Sequence, residues 1–293
     1  MTMAMTAMLL LDLDDPALRR AFQAGGAAER GRGVGGERSP AHGQGVAPFT
    51  PGALFGPSDP GGWYDPSDIS TLWRDTSGTV PVTAAGHTVG LYLDKRLYAG
   101  RSTAEMTALY GSVASIPGNH RTQATSGFRP AYDTTSLPTP TLNHDGTDDY
   151  MYGPLPIPPS IAMTHFWVVN VRTGRVAWNN ARSLVTHVGN SGDGSASIVG
   201  YSSGSIYRNN NGVPLATRGD VYTAMIGTNY GIVEARGLVH ASAATTMDFG
   251  YRASFLTGIA ANIAEEIYCR EDVAAAYRAK IYAYLAEKWG VTI

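Results

Sequence analysis

Residues 164–172, THFWVVNVR, are a run of aromatic and β-branched side chains that stops at Thr173-Gly174. Branching at Cβ restricts χ1 against a helical turn, so such a run suits a pleated strand better than a helix. It opens a series. Residues 181–188, 196–201, 205–208, 213–217, 221–226, 231–239 and 247–251 repeat the pattern at short spacing. The breaks carry turn chemistry: GNSGDG at 189–194, and Asn209-Asn210-Asn211-Gly212, whose Asn-Gly is the strongest short hairpin signal in the chain. A parallel α/β fold would need helices between the strands, and none is legible. The series predicts an all-β, antiparallel sandwich. Composition agrees: 35 Gly and 17 Pro, with only 16% charged residues, suit a turn-rich β protein rather than a helical bundle.

Upstream, residues 142–151 (LNHDGTDDYM) read as strand, tight turn, strand, with Asp145-Gly146 supplying the turn. At the other end, Val273, Tyr277, Ile281, Tyr284, Leu285 and Trp289 fall on one stripe of a helix over residues 272–289. Asp272 is positioned to cap it, and Gly290 stands where a C′ glycine belongs. Aromatics at this spacing are read as packing.

The N-terminal part is different material. Asp14-Asp15-Pro16 starts a short helix whose apolar side, Leu18, Ala21 and Phe22, is too small to stand alone. Residues 27–62 are Gly/Pro-rich and hold almost no core-forming side chains. The chain therefore divides into an anchoring arm, residues 1–62, and a globular domain, residues 63–293. The apolar residues 8–11 have no Lys or Arg before them and are followed at once by Asp12, Asp14 and Asp15, unlike a secretory signal. The expected place of synthesis is the cytoplasm.

A net charge of −2 gives no global field for nucleic acid. No run approaches the roughly 20 apolar residues that span a bilayer. The single cysteine, Cys269, excludes an intramolecular disulfide and reads as a small buried hydrophobe in a strand. There is no His-Glu-x-x-His and no phosphate loop, and the histidines show no metal-ligand spacing. No cofactor and no metal are expected. Asp145, Asp148 and Asp149, with Asp193, carry oxygens that suit Ca²⁺, but turn building and strand capping account for them more simply. Two loop groups combine an aromatic ring with Asn, as sugar sites do: Trp178-Asn179-Asn180 with Arg182, and Tyr207-Arg208-Asn209-Asn210-Asn211. Ordinary turn chemistry explains the same residues. The candidate carbohydrate-binding residues are Trp178, Asn179, Asn180, Tyr207, Asn209 and Asn210.

Several stretches also resemble one family. They are WYDPSDISTLW at 63–73, GTVPVT at 78–83, LDK at 93–95, GNH at 118–120, TQAT at 122–125, RPAY at 129–132, the HDGTDDYM stretch, IAE at 263–265 and YLAEKWG at 284–290. They look like the concanavalin A-like (laminin G/pentraxin-like) jelly rolls of phage and phage-like particle structural proteins. The resemblance implies a jelly-roll sandwich with the helix outside it. It also implies a virion accessory role: a spike, fibre or tail-associated subunit that docks through its arm on other virion proteins. Such a subunit would display a glycan-binding face to cell-surface polysaccharide for host adsorption, as an oligomer in an assembly. No nucleic acid and no membrane insertion are expected. A purely structural decoration subunit is the alternative, and a glycan-processing enzyme a third reading. Glucanases of this fold carry Glu-x-Asp-x-x-Glu on a strand; no glutamate here stands in that pattern, and adjacent Glu265 and Glu266 would face opposite sides of a strand. The chain is not expected to be an enzyme. Residues 97–117 interrupt the resemblance, and either present Tyr98, Met106, Leu109, Tyr110 and Ile116 to a neighbour or fold back over a sheet edge.

Overall fold

The computed structural model describes residues 48–293 apart from 136–138, 155–156, 159, 174–175, 178, 182–183, 186–187, 190–193, 197–200, 228–229, 241–245, 250, 253–256 and 259. In the strands between residues 173 and 202 and between 240 and 258, only the backbone is described.

The described chain is mostly β. One antiparallel sheet of seven strands is built from β1 (Gly62–Tyr64), β5 (Ala131–Asp133), β6 (Thr141–Asp145), β8 (Met163–Thr173), β13 (Tyr201–Arg208), β14 (Gly231–His240) and β18 (Ala260–Arg270). Its order is β13-β14-β8-β18-β6-β5, and β1 pairs with β18 where β6 has ended. A second seven-stranded sheet comprises β2 (Leu72–Trp73), β3 (Leu91–Tyr92), β4 (Arg121–Thr122), β7 (Met151–Pro154), β10 (Asn179–Ala181), β11 (Leu184–Val185) and β15 (Thr246–Phe249). Two short ribbons, β9 (Val176–Ala177) with β12 (Val188–Gly189) and β16 (Tyr251–Arg252) with β17 (Thr257–Gly258), complete the strands.

The sheets share one apolar core. Trp167, Val169, Val233 and Ile263 from the first meet Leu72, Tyr92 and Met151 from the second. The 142–151 stretch forms strand, turn and strand as its sequence predicts, but not a hairpin. β6 joins the first sheet and β7 the second, so Gly146 (φ 91°) turns the chain from one layer to the other. A Cβ there would come within 2.7 Å of Ala260 Cβ.

On the outer face of the first sheet lies the C-terminal helix, Glu271–Trp289. Ile281, Tyr282, Leu285 and Trp289 pack on Phe166, Ile232, Ile267 and Cys269. The cap falls two residues before the expected Asp272, because β18 runs directly into the helix and Arg270 takes the cap position. Gly290 closes it in the left-handed conformation (φ 64°), as expected. Residues from Pro48 onward, whose composition reads as arm, lie against this helix. Phe49 stacks on Tyr277 at 6.2 Å, and Leu54 joins the same apolar cluster.

Residues 97–117 fold back. Tyr98, Met106, Val113 and Ile116 are buried against Leu91 and Leu93 on the outer face of the second sheet, while Leu109 and Tyr110 stay exposed. The first α-helix among the described residues, α1 (Thr103–Tyr110), is capped by Ser102. Glu105 N–H donates to Ser102 Oγ, and Glu105 Oε2 accepts from Ser102 N–H. Thr103 instead turns inward, 2.9 Å from Ser70 Oγ.

Two sequence expectations fail around the Asn-Gly turn. The turn forms, but residues 213–217 form no strand: Leu215 N–H donates to Ile206 O, Thr217 bridges to Ala196, and β13 pairs with β14 instead. Of residues 221–226, expected as a strand, 221–225 belong to the next described helix, α2 (Arg218–Met225), and Ile226 stands just past its end in an extended conformation. Thr217 and Asp220 form a capping box, and Val221 and Met225, one turn apart, reach the core. Replacing Thr217 with Ala should cost about 1 kcal/mol. A chemical-denaturation midpoint indistinguishable from the parent would show that the cap contributes nothing.

Candidate functional site

The resemblance motifs converge on the closing strand β18, so the polar groups there are the first place to look for chemistry. The ladder between β18 and β8 slips between Ile263 and Glu265, leaving Ala264 as an extra residue. Ala264 packs under the C-terminal helix, now α3 (Glu271–Trp289), and Glu265 bonds to that helix as well. Glu266 then points the other way, into the space between the sheets.

Glu266 is held by Arg121 of the opposite sheet. The pair is bidentate, with Nη2 to Oε2 at 2.8 Å and Nη1 to Oε1. Tyr268 OH donates to Oε2 at 3.1 Å, and His165 Nε2 lies 3.4 Å from the same oxygen. The Tyr64 ring covers the guanidinium at 3.7 Å. The His165 ring lies between Tyr268 (3.8 Å) and Trp167 (4.4 Å). Burial alone would push the Glu266 carboxyl up, but Arg121 and His165 outweigh it and hold the carboxyl at about 2. Burial pushes His165 down to about 4, and nearby His144 to about 4. This is a cross-sheet rivet, with Arg121, His165 and Glu266 all buried.

On the other face, Glu265 accepts from two indoles, Trp63 Nε1 at 2.6 Å and Trp289 Nε1 at 2.8 Å. It also accepts from Tyr284 OH at 3.0 Å and from Lys288 Nζ at 2.8 Å. Lys288 also reaches Asp65 Oδ1 at 2.8 Å, and Lys95 reaches Asp65 Oδ2 at 3.0 Å. Burial and Asp65 push the Glu265 carboxyl up against the pull of Lys288. Asp94, fully buried, accepts from the backbone N–H groups of Trp63, Arg96 and Asn119. Arg129 donates to the carbonyls of Gln123, Ala124 and Arg74. The WYDPSD, LDK, GNH, TQAT, RPAY, IAE and KWG stretches are thus tied to one another. Asp65, Asp94 and Glu265 are all buried.

The candidate sugar residues lie elsewhere. Trp178 falls outside the described residues, as do Arg182 and Asp193. Asn179 and Asn180 belong to β10 of the second sheet, described by backbone alone. Tyr207, Asn209 and Asn210 come together at the end of β13, in the first sheet. Tyr207 is half-buried under the Arg236 guanidinium at 4.0 Å. Arg236 is itself bound to Glu234, which Arg278 and Tyr282 of α3 also reach. The Asn209 amide oxygen accepts from Ile232 N–H at 2.9 Å, extending the ladder by a side chain. Asn210 is exposed, with φ 56°.

The carboxylate oxygens of Asp145, Asp148 and Asp149 lie within 4.8 Å of one another. Asp149 accepts from Asp145 N–H at 2.9 Å, and Asp145 from Thr147 N–H at 2.7 Å, so both carboxylates build the turn. Burial pushes the Asp149 carboxyl up to about 7, and Asp145 and Asp148 add to the shift. A further feature that sequence reading did not anticipate is an apolar groove of about 780 Å³ between α1 and β2, lined by Ile69, Trp73, Pro81, Ala104, Ala108 and Val113. Its only trace in the sequence is the interruption at residues 97–117.

Comparison of the chain with protein-family models, with curated proteins and with solved structures finds no match in any of the three. Among the described residues, no helix is long and apolar enough to cross a membrane.

Proposed function

We propose that the two sheets form a concanavalin A-like, laminin G-like jelly roll. The chain then serves as an accessory subunit, a spike, fibre or tail-associated protein, of a phage or phage-like particle. In this reading the arm meets other virion proteins, and the loops of the sandwich offer a glycan-binding face for adsorption to the host surface. The observation that carries the reading is the convergence of the motif residues on buried bonds. Glu265 bonds to Trp63, Tyr284, Lys288 and Trp289, and Asp94 accepts from the backbone of Trp63 and Asn119, so residues from distant parts of the chain are joined in the interior. Motifs used up in this way are the signature of a fold rather than of an active site. Glu265 and Glu266 face opposite sides and are each enclosed by donors, which supports a non-enzymatic role. Recognition then falls to loops carried on a rigid frame.

One observation favours the purely structural decoration subunit instead. The Asn209 side chain, a candidate sugar ligand, is committed to the backbone of β14. Surface polysaccharides of bacterial hosts arrayed against the full chain separate the two readings. The adsorption reading expects binding that Tyr207→Ala and Asn210→Ala abolish. A chain that copurifies with particles but binds no polysaccharide would leave the structural subunit standing.

A further inference from the structure

We propose that Asn211 is a built-in modification site, converting spontaneously to aspartate and isoaspartate, with the fold of the 208–213 turn promoting the reaction. Asn211 is the only asparagine in the chain followed by glycine. Both residues are exposed, so solvent base can reach the peptide N–H between them. Gly212 has φ 72° and carries no side chain to shield its nitrogen, and the space where a Cβ would stand is open.

The geometry adds more than access. Asn211 N–H donates to Arg208 O at 3.1 Å, fixing the residue in the turn. Its side-chain Oδ1 accepts from Val213 N–H at 3.1 Å, reaching past the Gly212 nitrogen. That bond has a chemical consequence. When the Gly212 nitrogen attacks Cγ, negative charge develops on Oδ1, and a donor already aimed at that oxygen stabilises it, as an oxyanion hole does.

The reaction balances with water alone. The Gly212 nitrogen loses its proton to solvent and forms a bond to Asn211 Cγ. The bond from Cγ to the side-chain nitrogen breaks, and that nitrogen takes up a proton and leaves as ammonia. Water then opens the cyclic imide at either carbonyl, giving aspartate or isoaspartate. The outcome is a new negative charge beside Asn209 and Asn210, and in the isoaspartate product a longer backbone at the turn.

The test compares two samples of the full chain in mildly alkaline buffer, one folded and one held unfolded in guanidinium. Both are digested at intervals, and asparagine peptides are followed by mass spectrometry with isoaspartate detection. Asn211 should convert ahead of every other asparagine, and at least as fast in the folded sample as in the unfolded one. Slower conversion in the folded sample, or another asparagine reacting first, would overturn the proposal. Val213→Pro removes the donor to Oδ1. It should slow conversion severalfold in the folded sample and leave the unfolded sample unchanged, whereas equal rates with and without the donor would remove the role given to Val213.

Discussion

Replacing Arg121 with Met should lower stability by about 3–5 kcal/mol, because it strands the Glu266 carboxylate between two sheets without its partner. Side-chain exposure of the pair is 3% and 2%, so solvent cannot take over. For a chain of this size the loss corresponds to a fall of about 10 °C or more in melting temperature. The cost belongs to the orphaned charge rather than to the pair, and a second change shows this. Arg121→Met combined with Glu266→Met removes both charges and should recover most of the loss, since buried ion pairs are often replaceable by apolar side chains. A double variant less stable than the single one would mean that the pair itself is worth more than its desolvation.

Stability should also fall steeply in acid, and histidine rather than aspartate or glutamate should begin the fall. His144 and His165 are buried and pushed from 6.5 down to about 4. Their contribution is complete above the unfolded value, declines as pH drops below 6.5, and is gone near 4. Each shift corresponds to something on the order of 3 kcal/mol. His120, also pushed down by burial, acts in the same direction. Glu266, held at about 2 against 4.5, adds a second loss as pH falls from 4.5 towards 2. Asp149 opposes them. Raised from 3.8 to about 7, it favours the fold as pH falls through 7, and the raised Glu265 carboxyl acts in the same direction, but Asp149 is partly solvated and the two stand against three. Denaturant midpoints measured from neutral pH to pH 4 should therefore decline before the carboxylates titrate. A flat profile across that interval would contradict the burial of the two rings.

Much of this architecture was legible because it is local. The run THFWVVNVR is a central strand, residues 231–239 are another, and the 272–289 stripe with its terminal glycine is the outer helix. The opposite facing of Glu265 and Glu266 follows from strand alternation and holds. What the sequence hid is non-local or locally ambiguous. Arg121 and Glu266 are 145 positions apart, and no spacing rule pairs them. The slip at Ala264, which sets the two glutamates in their places, has no marker in AANIAEEIYCR. Residues 221–226 are β-branched enough to pass for a strand, and the Thr217/Asp220 capping box that overrules them was there to be read. The Asn-Gly turn misled in the other direction. It turns the chain, but the strand that pairs next arrives only after α2. The candidate sugar residues lay in loops of composition common to all turns, so little in them could be told apart from turn chemistry.

Glu265 takes hydrogen bonds from Trp63 at the start of the sandwich and from Trp289 at its end. The body is therefore clasped like a belt, with the buckle made of its first and last pieces. While the chain is being synthesised, everything up to β18 can leave the ribosome with Glu265 still lacking Tyr284, Lys288 and Trp289, three of its four partners. The clasp closes only when residue 289 has emerged. A chain stopped short of that point keeps an uncompensated carboxylate on an open sheet face, which marks it as unfinished to any machinery that surveys exposed surface.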